Sequence, residues 1–175
     1  MQFLEPGLNP LRQVGFTLTE QMEGDHRFEP GLGPSGDLPM SFRVTWGPRS
    51  VVDWLTPSSP AFLRHELAGT VSIGELCSDA PCWGSLELHY FTQHKIRYSF
   101  EFDARGQRHR YIGEKVNIQL WNWPVSHTTC FGRTTEVSSG RLVSTSVTYF
   151  RILRSLEFTR SFRLRFGGKD ASGRR

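Results

Sequence analysis

Two glutamates stand where the alternation of their segments calls for an apolar residue. Glu20 is in phase with Phe16, Leu18 and Met22, and Glu114 is in phase with Ile112, Val116 and Ile118. A strand that turns those apolar side chains toward a core turns the carboxylates there too. Burying a carboxylate is costly unless it is paired or hydrogen-bonded, and Arg133, in phase with Phe131 and Val137, is the cation the same rule places inside. Two readings follow. The charged groups form a structural network, or they line a cavity where they orient a ligand or, with a raised pKa, move a proton as a general base.

Other residues capable of chemistry are scattered. Trp121-Asn122-Trp123-Pro124 follows a strand pattern directly, with His127 just beyond and Trp46 and Trp54 near other strand ends. Aromatics at strand ends suit either a barrel mouth that stacks on a ligand or packing against a short helix. The six histidines show no HxH or HExxH spacing, so no metal is expected. Cys130 with His127 makes a weak nucleophilic pair, because Cys130 falls out of phase with the expected inner row. Cys77 and Cys82 enclose the turn-rich Ser78-Asp79-Ala80-Pro81, where either a bridge or two reduced thiols would fit. Gly31, Gly33 and Gly36 precede neither Lys-Ser/Thr nor a helix start, so no phosphate loop and no cofactor is expected.

The elements that would position these residues are mostly strands. The 175-residue chain carries 22 aromatics, enough for one core without disulfides or metals. Alternation marks strands from Phe16, at Phe42 to Trp46, Leu67 to Ile73, Leu86 to Tyr90, Ile96 to Phe102, Tyr111 to Leu120, Thr128 to Val137 and Leu142 to Phe150. Ala104-Arg105-Gly106 and Ser138 to Arg141 read as hairpin turns, and Pro30 to Pro39 as a Gly/Pro loop. Ser50 is placed to cap a helical turn over Val51 to Leu55. After Tyr149 the spacing of Ile152, Leu153 and Leu156 predicts a short cationic amphipathic helix, followed by an edge strand at Phe162 to Phe166. This succession predicts a mainly β fold, an antiparallel β-barrel of about eight strands of lipocalin or calycin type, with a β-sandwich as the alternative. We expect an extended arm over 1–15, one barrel domain over 16–166 and a disordered basic tail over 167–175.

Charge is uneven. Residues 151–175 hold eight basic side chains against Glu157 and Asp170, a local +6, which leaves the first 150 residues with thirteen basic against fifteen acidic, or −2. Such a basic end attracts phosphates, anionic lipid or an acidic protein surface, and a solvated helix face explains it equally well. Nucleic acid is not expected, since no recognition motif accompanies the charge. No apolar run approaches the roughly 18 residues of a membrane span, and Met1 to Pro6 lacks the character of a signal peptide, so a soluble cytoplasmic protein is expected.

Several segments, in order, resemble a β-rich accessory domain found beside or fused to cholesterol-oxidase-like flavin oxidoreductases of the glucose-methanol-choline type. They are Phe16 to Gly24, Met40 to Val44, Leu67 to Val71, Ile96 to Tyr98 leading to Phe102, Tyr111 to Lys115, Thr128-Thr129 and Phe150 to Phe162, together spanning about Phe16 to Phe166. The chain departs from the pattern at Cys77 to Trp83 and at Asn122 to His127. The resemblance implies a module associated with apolar, lipid- or sterol-like molecules. It implies no FAD site here, because flavin is held by a separate domain and no GxGxxG follows a strand in this chain.

The preferred expectation is a non-enzymatic barrel that binds a hydrophobic small molecule or docks on a lipid-handling oxidoreductase. Phe16, Leu18, Tyr98, Phe100 and Val116 form its apolar wall, Glu20, Glu114 and Arg133 its polar anchors, and Trp121 and Trp123 its mouth. Two alternatives stand beside it: an interaction module that recruits a protein or anionic membrane through Arg151, Arg154 and Arg163, and an enzyme using a buried Glu as general base.

Overall fold

Alternation with period 2 produces strands, and short connections between successive strands produce antiparallel neighbours. A computed structural model describes residues 14–89, 93–116, 129–150 and 162–166. The elements are β1 (Val14–Phe28), β2 (Leu38–Trp46), α1 (Val51–Leu55), β3 (Arg64–Ile73), β4 (Cys77–His89), β5 (Lys95–Ala104), β6 (Gln107–Lys115), β7 (Thr129–Glu136), β8 (Leu142–Phe150) and β9 (Arg163–Phe166). Strands β1 to β8 pair in sequence order, and β8 returns to β1 through Met22↔Phe150 to Phe28↔Ser144. The result is a closed eight-stranded antiparallel barrel. A sandwich is excluded, because β1 also pairs with β2 from Leu18↔Trp46 to His26↔Leu38 and no open edge separates two sheets.

β9 takes up the edge of β1 that β8 leaves, pairing Val14↔Phe166 to Thr17↔Arg163. Strand pairing therefore begins two residues before the expected start of the barrel domain. The predicted amphipathic helix, with Arg151 and Arg154, and the tail over 167–175 lie outside the described residues, as does most of the N-terminal arm. No helix among the described residues is long and apolar enough to cross a membrane.

Local chemistry accounts for several turns and ends. Arg105 and Gly106 have φ of 51° and 75°, the two left-handed residues of a tight hairpin between β5 and β6. Ser50 caps α1 by accepting a hydrogen bond from the Asp53 amide at 3.2 Å. The segment read as a turn between Cys77 and Cys82 belongs to β4 instead. There Asp79, at φ 47°, donates its amide to Ser72 Oγ at 2.9 Å, and the ladder slips between Val71 and Ile73. Cys77 pairs with Ile73 and Cys82 with Gly69, so the two thiols sit at different levels of the sheet and are free.

The two ends of the barrel differ. At one end the chain turns at residues 74–76, 105–106 and 137–141 and in the loop 29–37, and Phe28, Ile73, Leu76, Phe102 and Val143 are buried near it. At the other lies α1, in the connection between β2 and β3, and this end we call the mouth. Phe16, Trp46, Trp54 and His65 gather there, with Phe16 5.7 Å from Trp54 and the His65 ring 5.1 Å from both Trp46 and Trp54. Phe162 stacks on Phe16 from just before β9.

His65 is buried among these rings, and loss of water lowers its pKa from 6.5 to about 4. The unfolded chain thus binds the proton more readily, and folding stability falls as pH drops through that window. The contribution is about 3 kcal/mol, fully present above pH 6.5 and lost by about pH 4. Urea unfolding between pH 7 and pH 4 should show a steeper loss for the native chain than for His65→Leu; parallel slopes would refute the assignment.

Candidate functional site

The barrel interior has two unlike halves. Along β2 to β5 the inward side chains other than His65 at the mouth are mostly apolar, including Phe42, Val44, Leu67, Leu86 and Phe100. Along β6 to β8 and into β1 they are polar or small: Lys115, Gly113, Cys130, Gly132, Thr134, Ser144, Ser146, Thr148 and Glu20 are all buried or nearly so. This polarity corrects the expected phase of three strands. Glu114 faces outward, where its Oε1 accepts from Lys95 Nζ at 3.1 Å and lies 3.6 Å from Arg97 Nε. Arg133 is exposed on the outer face of β7, beside Phe131 at 52% exposure, and Val116 is exposed at 44%, so none of them lines the interior. The alternation rule marks Ile112, Phe131 and Val147 as inward, but in this sector the apolar row is the outer one.

Glu20 does point inward, and Lys115 is the cation that meets it. β1 brings Glu20 opposite Val44, and β6 ends on Lys115, its last inward side chain before the chain leaves the barrel at the mouth. Lys115 Nζ donates to Glu20 Oε1 at 2.5 Å, with side chains only 4% and 6% exposed, and Tyr98 Oη donates to Glu20 Oε2 at 2.7 Å. The ammonium also lies 5.3 Å from the Tyr98 ring and 5.6 Å from the Phe150 ring. Tyr98 thus stands beside Glu20 in the interior, and alternation does not reveal Lys115 because Val116 and Ile112 place the inner row one residue out of register.

Below this network the centre of the barrel is filled with rings. Phe100 stacks on Tyr111 at 4.8 Å, and Phe42 lies 5.4 to 5.7 Å from Phe100, Tyr111 and Tyr98. Tyr111 lies over the paired Gly113 and Gly132, where a Cβ on Gly132 would come within 2.2 Å of Tyr111 Oη. Those glycines clear the floor for the ring. Tyr111 Oη contacts Ser146 Oγ at 3.4 Å and Cys130 Sγ at 3.9 Å. Burial pushes the Cys130 thiol up to about 11 and the Tyr111 hydroxyl well above its usual range, so both are protonated at neutral pH. Cys130 is therefore a core thiol; its suggested partner His127 lies outside the described residues.

Above the network, the aromatic group at the mouth holds polar atoms without hydrogen-bond partners among the described residues. They are Trp46 Nε1, Trp54 Nε1 and both ring nitrogens of His65, all buried. A buried donor left unmade costs about 1–3 kcal/mol, so such a group calls for an acceptor that the described residues do not supply. Trp121 and Trp123 belong to the connection between β6 and β7 and lie outside the described residues. Arg163 is exposed on β9, away from the interior. Among the described residues no three His, Cys, Asp or Glu side chains are grouped to hold a metal ion.

The network's energetics can be tested directly. Lys115→Met leaves Glu20 buried with Tyr98 as its one hydrogen-bond partner among the described residues and should cost about 3–5 kcal/mol, whereas Tyr98→Phe should cost about 1–3 kcal/mol. Combining Lys115→Met with Glu20→Leu should recover much of the first loss. Additive effects in urea titrations would mean that the two side chains do not interact.

Compared with protein-family models, with curated proteins and with solved structures, the chain finds no match.

Proposed function

We propose that this chain is a binding module that holds a hydrophobic small molecule in the mouth half of a lipocalin-like barrel. The observation that carries this reading is the set of four ring nitrogens of Trp46, Trp54 and His65 that have no hydrogen-bond partner among the described residues and lie within one aromatic cluster. A guest bearing an oxygen acceptor would meet the donors among them. Phe16, Leu18 and Tyr98 supply wall, and Glu20 with Lys115 supplies a polar floor. The rings of Phe42, Phe100 and Tyr111 fill the barrel centre, so the guest sits between them and α1.

The resemblance to an accessory domain of flavin oxidoreductases agrees with an apolar guest, and docking on such an enzyme rests on that resemblance alone. An exposed Arg163 likewise leaves the membrane or protein recruitment reading without a further supporting observation.

Protein purified without detergent should release a stoichiometric apolar compound on denaturation, seen by comparing native and denaturing mass spectra. It should also bind the fluorescent probe N-phenyl-1-naphthylamine saturably, with displacement by decanol. Trp54→Phe removes one donor while keeping a ring, and should weaken decanol about tenfold, as expected for about 1.4 kcal/mol. A clean apo mass together with no saturable probe binding would overturn the reading.

A further inference from the structure

The cation chosen for the inner wall is chemically informative. Eighteen of the 21 basic residues in the chain are arginine and only Lys95, Lys115 and Lys169 are lysine. Arginine is the better partner for a buried carboxylate, because its planar fork bonds both oxygens and it is less strongly hydrated. Yet the side chain that meets Glu20 inside the barrel is a lysine. What a lysine offers and an arginine does not is an amine that can shed its proton and act as a nucleophile. Lys95 gives an internal comparison: it also meets a glutamate, Glu114, but on the outer face of the barrel.

The surroundings of Lys115 are those of an amine prepared for a carbonyl group. Its Nζ lies against the rings of Tyr98 and Phe150, and its single hydrogen-bond partner among the described residues is Glu20 Oε1. Tyr98 Oη holds the other carboxylate oxygen, which fixes Glu20 in place as a base and as a counter-ion. As the last inward residue of β6, Lys115 faces the mouth half of the interior, where the proposed guest sits.

We propose that Lys115 captures an apolar aldehyde as a protonated imine with Glu20 as its counter-ion. This inference rests on the binding role above and names its substrate class. The ammonium gives one proton to Glu20, and the nitrogen lone pair attacks the carbonyl carbon while the C=O π pair moves to oxygen. That oxygen takes up a second proton from nitrogen, giving a neutral carbinolamine. Glu20 then returns its proton to the hydroxyl, water leaves, and the C=N bond forms. Lysine ammonium plus aldehyde yields iminium plus water. Charge is conserved, so the pair with Glu20 stays neutral inside the barrel throughout, and no oxidant or reductant is required.

The test uses the full chain with decanal and sodium cyanoborohydride, which reduces the iminium to a stable secondary amine, and locates the adduct by peptide mass spectrometry. One equivalent should be trapped at Lys115, well ahead of Lys95, Lys169 and the N-terminal amine. Excess decanol, which cannot form an imine, should protect Lys115 in the native chain. Lys115→Arg should lose the adduct, while decanol displacement of the probe from the native chain reports binding separately. If decanol displaces the probe but Lys115 is labelled no faster than Lys95, the imine inference falls and the binding reading stands. If neither compound binds, both fall. Should Lys115→Arg fail to fold, decanol protection in the native chain decides the matter by itself.

Discussion

Every strand of this barrel depends on β1 having both of its edges satisfied. Its middle, from Met22 to His26, is hydrogen-bonded to β2 on one side and β8 on the other. An open sheet of eight strands would leave two rows of unpaired amides and carbonyls; closure removes both at once. The fifteen residues of β1 exceed what β8 can cover, and β9 satisfies the remainder near Val14 to Thr17. Because the wall is continuous, the interior is walled off along its sides, and a group such as Glu20 can be held there under conditions no open sheet surface offers.

Closure also explains why the interior can be divided by chemistry. Half of it is an ordinary apolar core whose rings, from Phe42 to Tyr111, fix the width of the barrel. The other half is lined by hydroxyls, a thiol, glycines and one ion pair. Glu20 and Lys115 are 95 residues apart in sequence yet paired within one hydrogen bond. A buried pair of this kind adds little net stability over a well-packed apolar one, since the attraction mainly repays the loss of hydration. Net stability alone therefore does not account for its presence.

Much of the architecture could be read from the residues. The strand series, the cap at Ser50, the turn at Arg105-Gly106 and the inward row of Ile96, Tyr98, Phe100 and Phe102 follow from alternation and turn chemistry alone. The phase of β6 to β8 could not be read that way. There the interior is lined by Lys115, Thr134, Ser144, Ser146 and Thr148, while Phe131 and Tyr149 face out, so hydrophobicity points to the wrong face. Glu20 was legible because its neighbours on β1 are apolar. Its partner was not, since identifying Lys115 needs the register Ile96↔Lys115, which is a property of the paired sheet.

The pairing of β1 with β8 and β9 has a consequence for how the protein comes into being. β1 emerges first from the ribosome, and its second edge has no partner until residues beyond 140 have been made. Contacts of such long sequence separation must wait for loop closure, which places the chain among slow, millisecond-to-second folders. Until then β1 and β2 form an incomplete sheet that exposes Met22, Phe42 and an unpaired carboxylate at Glu20. The acidic side chain that later anchors the interior thus also serves, during synthesis, as a charge on an unprotected edge, discouraging two nascent chains from pairing with each other.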